Sequence, residues 1–498
     1  MLFAILVAIL CIIPLILIYI DKKWSDQDKL SGIPGPRAYP IIGSLIELWP
    51  YMRSQKVYLK ILDYAKIYGD TFRVRFGPKL IIITRDLKAI ETIVSDQKFI
   101  RGHEYKSLKP MSGDGLLVAS GERWFKLRKL LTPAFHFQIL ERFIPIYEEQ
   151  TNILIDLLKK KDGKVVNIVP LLYNMALDII AETSMGVKLN AQSGLHKDFV
   201  EAIGVMLHVF TARLNNGFLT IDWIFHLTSL YREQQRAMTL INNFVNQIIE
   251  ERRTKLLQEI KENGNVVQEY VEKKHPALLE LMLRSEMDEK PLTNDDIRNE
   301  VKTFMMAGHE TTSNASSFIL YNIAKYPKVQ ERVYEEINSE IDLTKPLTIK
   351  VLNSLFYMDC VIKETLRLTP AGTLLPKRCL TEVKIGDYDI PADTTIMTFI
   401  YGLHMDEKNF KNCESFDPNR WMKEVTVEER NPFAYQPFSS GLRNCIGQRF
   451  ALLEIKTVIV KLLTTFKVEL GTEDFVTDII ECGALKSKNG VQLKFIPR

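Results

Sequence analysis

The chain lacks the patterns that would make it a disulfide scaffold, a zinc module or a nucleic-acid binder. Its six cysteines are scattered over 498 residues with no Cys-x-x-Cys pair and no zinc-like spacing. That argues against a cystine framework or a structural zinc and suits a reducing compartment. Net charge is only +4 and no long Lys/Arg block occurs, so the electrostatic footprint of a nucleic-acid binder is missing. There is no internal repeat, no Gly-rich dinucleotide fingerprint behind a strand, and no linker-like stretch after the N-terminal segment. What remains is an ordinary globular composition, 46% hydrophobic and 25% charged, which excludes intrinsic disorder of the whole and predicts one large unit.

Leu2 to Ile20 is uncharged and almost wholly apolar, and at about 1.5 Å per residue it is long enough for a bilayer core of about 30 Å. No basic segment precedes it and no small-residue cleavage site follows, which favours a retained anchor over a cleaved signal. Lys22 and Lys23 come directly after, so the positive-inside tendency puts the N-terminus in the lumen and the body in the cytosol. The expected organisation is an anchor over 1–20, a polar linker and proline-rich hinge over 21–40 containing Pro34, Pro36 and Pro40, and a globular body over 41–498.

Thr71 to Phe76 and Leu80 to Thr84 flank Gly77-Pro78 and predict a β-hairpin. Helical periodicity covers Leu87–Val94, Glu122–Leu131, Phe143–Leu158, Leu171–Ser184, Arg232–Glu262, Asp295–Lys325, Lys328–Ile341, Tyr357–Leu368 and Ala451–Leu463. Short strands follow Thr369, among them Lys384-Ile385 and Thr394–Phe399. The fold class is mainly α with small β-sheets. The charged stretch Glu251 to Lys274 reads as a solvated helix end and loop.

Four constellations carry chemistry. In Phe438-Ser-Ser-Gly441-Leu-Arg443-Asn-Cys445-Ile-Gly447, Gly441 permits a positive-φ turn, Arg443 can meet a carboxylate and Cys445 offers sulfur. Gly447 lets the next helix start close to whatever lies beneath, a setting suited to a thiolate against a flat iron macrocycle. Phe304, Gly308, Thr311 and Ala315 share one face of the long helix from Asp295. The glycine leaves a gap there, and a local widening would free Thr311 to bond a ligand, with Glu310 beside it as a proton source. Trp124 and Arg128, four apart on a helix, can aim an indole N–H and a guanidinium at one carboxylate. Glu364 and Arg367 are three apart and can form a charge-assisted pair.

The cysteine loop resembles the haem-binding signature of the cytochrome P450 monooxygenases, Phe-x-x-Gly-x-Arg-x-Cys-x-Gly, with every fixed position filled. Ala307-Gly308-His309-Glu310-Thr311-Thr312 is similar to the family's oxygen-activation motif, Glu364-x-x-Arg367 with Phe416-Asp-Pro418-Asn-Arg420 to its structural Glu/Arg pairing, and Trp124/Arg128 to its propionate clamp. The resemblance implies the P450 fold behind an N-terminal transmembrane helix, haem b with Cys445 as axial thiolate, and Trp124, Arg128, Arg443 and Arg378 at the propionates, with Phe438, Gly441 and Gly447 framing the loop. It implies that Gly308, Ala307, Glu310 and Thr311 serve dioxygen and protons, while Glu364, Arg367 and Arg420 are structural. Phe304, Leu374 and Leu375 are expected pocket walls, as are the loop Phe99–Ser120 and the apolar run Phe218–Leu230, which could equally be core or dip into lipid.

The Glu300 to Thr312 segment looks most like family 4, including its insect members. Members of that family that hydroxylate fatty-acid chain ends carry glutamate where this chain has Ala307, and alanine cannot form the haem ester, so noncovalent haem is expected. The implied activity is insertion of one atom of O₂ into an apolar substrate, whether fatty acid, terpenoid, hormone or xenobiotic. Its electrons come from NADPH through NADPH–cytochrome P450 reductase, with cytochrome b5 a further possible donor, at the endoplasmic reticulum membrane. Arg123, Lys126 and Lys129 form a candidate dock for an acidic donor, or a solvated face. An O₂-independent haem-thiolate isomerase or dehydratase, and a carrier of haem or lipophiles without turnover, are the alternatives.

Overall fold

The computed structural model describes residues 15–24, 32–77, 79–263, 278–422 and 431–498. The expected anchor is described only from Leu15, helical to Trp24 with Leu15, Ile18 and Tyr19 exposed; residues 1–14, Pro78 and the end of the charged 251–274 stretch lie outside the described residues. Among the described residues, one helix is long and apolar enough to cross a membrane, Ile168–Met185, and most of it is buried in protein. The chain divides into two compact units, the first formed by residues 1–104, 372–413 and 430–444, the second by 105–371, 414–429 and 445–498.

The first unit is built on a five-stranded sheet. Helices α1 (Leu45–Arg53), α2 (Val57–Tyr68) and α3 (Leu87–Ser95) accompany strands β1 (Thr71–Phe76), β2 (Lys79–Thr84) and β3 (Phe99–Arg101). From later in the chain come β4 (Leu374–Cys379), β5 (Val383–Ile385), β6 (Tyr388–Ile390) and β7 (Thr395–Phe399). The order is β1-β2-β7-β4-β3, with β5 and β6 a separate hairpin. Alternation fixes the register: β1 meets β2 antiparallel with Val74 opposite Ile81, and β7 runs parallel to β2 with Ile396 opposite Ile82. Phe72, Val74, Ile81, Ile83 and Phe399 then pack with Leu48, Ile61 and Tyr64 of α1 and α2. Asp86 caps α3 by accepting the Ala89 N–H at 2.8 Å.

The second unit is helical. Its principal helices are α4 (Gly121–Leu131), α5 (Phe137–Lys159), α6 (Ile168–Met185), α7 (Lys197–Asn215), α8 (Ser229–Asn263), α9 (Asn294–Lys325), α10 (Pro327–Glu340), α11 (Phe356–Leu368) and α12 (Gln448–Thr465). The core helix is α9, which packs on α6, α8, α11 and α12. A capping box starts it, Thr293 accepting the Asp296 N–H and Asp296 the Thr293 N–H. Strands β8 (Phe466–Leu470), β9 (Ile479–Cys482), β10 (Ala484–Ser487) and β11 (Gln492–Pro497) follow. β9 and β10 form a hairpin, and β11 lies between β8 and the two-residue strand Val166–Asn167. The expected loop Phe99–Ser120 is more ordered than its composition implies: it holds β3, a 3₁₀ segment His103–Leu108 and a helical turn Lys109–Ser112.

Glu364 of α11 is fully buried and accepts from Arg367 Nη2 at 2.8 Å, Arg420 Nε at 2.8 Å, Trp421 Nε1 at 2.9 Å and the Asp417 N–H at 3.0 Å. Burial alone would raise its pKa, but the hydrogen bonds and charge of Arg367, with Asp417 and Arg420, hold it below the usual carboxylate range. One carboxylate thus ties the segment 415–421 to α11, with Arg367 also donating to the Ser415 carbonyl at 3.0 Å. Removing it strands two buried cations, so Glu364→Ala is expected to cost about 3–5 kcal/mol in urea unfolding, while an exposed control such as Glu340→Ala stays within about 0.5 kcal/mol.

Candidate active site

Cys445 opens the second unit's final segment. Its residue surface is exposed, yet burial pushes the thiol pKa up, opposed by the Gly447 N–H and the Arg128 guanidinium. Surroundings dense enough to desolvate a group whose surface is still accessible describe a concavity rather than a convex surface. Gly447 leaves room, since an added Cβ would stand 3.9 Å from Phe135 and 4.0 Å from Cys445 Sγ. Its part is therefore the N–H aimed at sulfur rather than an otherwise impossible close approach. Arg128 and Trp124 are half-buried on α4, and burial lowers the pKa of Arg128 while the Cys445 sulfur opposes that shift.

The α9 face expected to serve oxygen is accessible in the midst of a buried helix. Ala307 is exposed and Gly308 and Thr311 are half-buried, whereas Met305, Met306, His309, Glu310 and Thr312 are buried. The expected widening is not there: α9 stays α-helical, with Thr311 Oγ1 donating to the Ala307 carbonyl at 2.7 Å and Thr312 Oγ1 to Gly308 at 2.6 Å. Thr311 keeps its acceptor lone pairs for a ligand. The gap at Gly308 is filled from α6, because Ile180 Cδ1 lies 2.9 Å from where a Cβ would stand. The glycine serves helix–helix approach. Phe304 is buried and stacked on Phe135 with centroids 5.6 Å apart.

Glu310 on this helix and Glu454 beside it are buried acids. Glu310 is 8% exposed and burial raises its pKa, opposed by Lys486, whose Nζ is 4.0 Å from Oε1. Glu454 of α12, not singled out from the sequence, is 2% exposed; burial lifts it to about 8, opposed by a hydrogen bond with Thr312. A lone acid inside the apolar run Ala451–Leu463 was the available signal. The expected donor dock is largely self-paired: Arg123 bonds Asp296 at 2.7 Å and Lys126 bonds Asp288 at 2.6 Å, leaving Lys129 exposed.

In the first unit Gly441 takes φ +69, and a Cβ there would collide with the Val94 carbonyl of α3. Phe438 is half-buried, and its loop is laced by Ser440 Oγ donating to Gln436 Oε1 at 2.9 Å and the Gln436 N–H donating to His404 Nε2 at 3.0 Å. The reading of Arg378 as a propionate partner is corrected. It pairs with Asp393, which also faces His103 at 3.6 Å. The buried cation of β4 is Lys377, one residue earlier, directly opposite Arg101 of β3 and donating to the Ile93 carbonyl at 2.8 Å. Burial, then Arg101 and Arg443, lowers Lys377 to about 7. The charges of Arg101 and Arg443 thus converge on Lys377. Leu374 and Leu375 are half-buried at the margins of the unit's hydrophobic clusters.

A family model described as cytochrome P450 matches residues 33–495. The chain belongs to the cytochrome P450 family. It is 37% identical to cytochrome P450 4d2 of Drosophila melanogaster over 96% of each chain, and 35% identical to cytochrome P450 4c3 of the same species over 97% of this chain and 92% of that one. These relatives place it with the insect members of family 4. A solved cytochrome P450DA haem domain superposes with TM-score 0.79 at 23% identity, covering 94% of this P450 and 98% of that chain, a likeness of fold. The protein is a monooxygenase using haem iron, cysteine thiolate and O₂.

The raised Glu454 pKa makes a signed prediction about this P450. A carboxyl at about 8 in the folded state and about 4.3 unfolded favours folding fully below the unfolded value and loses that contribution as pH rises through the folded one. Urea midpoints should therefore fall between pH 5 and 8 in the parent, and Glu454→Gln should flatten the decline by on the order of 3 kcal/mol.

Proposed function

We propose that this P450 is anchored by its N-terminal segment in the endoplasmic reticulum membrane and hydroxylates an apolar substrate, with NADPH electrons delivered by a separate reductase. The observation that carries this reading is Cys445, enclosed enough to be desolvated yet accessible, with the Gly447 N–H and Arg128 directed at its sulfur. Haem would supply the redox-active iron at which O₂ is activated. Cys445 would ligate that iron, and Trp124 and Arg128 of the same unit would answer the haem carboxylates; in the first unit Arg443 and Lys377, rather than Arg378, offer positive charge suited to such a group.

Glu310, whose pKa burial raises, would hold the proton needed at the site, and the Thr311 hydroxyl, on the accessible face beside Ala307, would orient it. This acid–alcohol pair supports an oxygenase over an O₂-free isomerase. Exposed apolar side chains support a lipid surface: Phe218, Ile221, Trp223 and Leu227 in the second unit, and Ile41, Ile46 and Trp49 in the first. A lipophilic substrate such as a fatty acid, terpenoid or xenobiotic follows from the same setting.

Two measurements test the assignment. The dithionite-reduced protein under carbon monoxide should develop a strongly red-shifted Soret band that Cys445→Ser abolishes; an unshifted parent band would exclude the thiolate reading. Acid–acetone should extract all haem from the parent, because Ala307 offers no carboxylate for an ester, whereas pigment retained on the polypeptide would contradict noncovalent binding.

A further inference from the structure

A relay acid must lose its proton and regain it in every cycle, and burial opposes the first of these by penalising the carboxylate. Three elements besides its own bring titratable groups into electrostatic reach of Glu310. Lys486 of β10 lies 4.0 Å from Oε1. Tyr173 of α6, whose hydroxyl donates to Asn314 at 2.9 Å, is shifted up by burial and by Glu310. Cys482 of β9 is the third, its thiol raised by burial, lowered by Lys486 and raised by Glu310 and by its own neighbour Glu481. Lys486 opposes the upward shift that burial imposes on Glu310, and its side chain is 30% exposed, so it links a buried acid to the aqueous side.

The hairpin that carries Lys486 is held in place by its backbone. Gly483 turns it at φ +81, where a Cβ would stand 2.7 Å from Phe210 of α7. Thr211 Oγ1 donates to the Cys482 carbonyl at 3.4 Å, and Lys486 pairs across the hairpin with Ile480. The backbone position from which Lys486 reaches Glu310 is therefore set by α7 and the hairpin register.

We propose that Lys486 is a positioning residue for proton delivery, its ammonium on the β9–β10 hairpin stabilising the carboxylate that Glu310 becomes after each transfer and orienting it for reprotonation from solvent. This rests on the reading of Glu310 as the proton donor. The bookkeeping is simple: the Glu310 O–H proton leaves toward Thr311, the carboxylate faces Lys486, and a proton from water restores the acid while the lysine keeps all of its own.

The test uses the full-length holoenzyme and the variants Glu310→Gln, Lys486→Met, Lys486→Arg and Glu310→Gln/Lys486→Met, with Lys486→Gln replacing methionine if that variant fails to bind haem. The infrared C=O band of protonated Glu310, assigned by its loss in Glu310→Gln, is titrated with pH. Its midpoint should rise by about one unit, a tenfold change in ionisation, in Lys486→Met and return toward the parent value in Lys486→Arg. Peroxide formed per NADPH oxidised, with reductase present, should rise in Glu310→Gln and in Lys486→Met, and the double variant should match Glu310→Gln. An unchanged midpoint in Lys486→Met, or additive uncoupling in the double variant, overturns the role of Lys486. Unchanged peroxide yield in Glu310→Gln would instead overturn the donor reading of Glu310.

Discussion

A sulfur that has to be both desolvated and reachable is the constraint around which the second unit is organised. Desolvation disfavours the thiolate, and the same enclosure strengthens every charge and dipole aimed at it. The Gly447 N–H and Arg128 are the two groups that act in that direction. Both positions follow from chain geometry: Gly447 lies immediately before α12, where backbone N–H groups lack helical partners, and Arg128 sits one turn from Trp124 on α4. Everything else asked of this unit, from the tight α6–α9 approach at Gly308 to the buried acids, is compatible with that enclosure because it removes water.

Buried charge recurs with a different purpose at Glu364. Two arginines, an indole and a backbone N–H on one carboxylate are poor evidence of net stability, since desolving three ions opposes most of their attraction. What such a cluster supplies is discrimination, because only one placement of residues 415–421 satisfies every donor. Lys377 presents the opposite arrangement, a buried cation facing two others, which an anion would relieve.

Much of this was legible in the sequence because local chemistry and periodicity agreed. The β1–β2 hairpin and the helices α6 and α9 fell where alternation and 3.6-residue spacing put them, and α9 carried its own capping box at Thr293 and Asp296. Helix α5 starts at Phe137, earlier than Phe143, because Pro145 looks like a first-turn proline but sits inside the helix. Helices α1, α2 and α7 went unmarked, although α1 and α2 cover each other's apolar faces and α7 packs on α8. At β4 the error was one of register. Strand period is two, so the one-residue uncertainty between Lys377 and Arg378 decided which cation faces inward. No motif could have announced that Ile180 fills the notch at Gly308, since the two residues lie more than a hundred positions apart.

The acid and the alcohol of the oxygen motif, adjacent in sequence, are not adjacent in direction. Successive helical residues are turned by about 100°, and the two environments differ accordingly: Thr311 is half-buried on the accessible patch with Ala307, while Glu310 is buried toward β10 and Tyr173. Sequence adjacency therefore does not by itself make a proton wire. A transfer between them requires either a rotamer change at Glu310 or a water held between the side chains. Thr311 has committed its own proton to the Ala307 carbonyl, so it accepts before it can donate. In the proposed relay, proton movement would therefore begin at the buried acid and end at the accessible patch of Ala307 and Thr311.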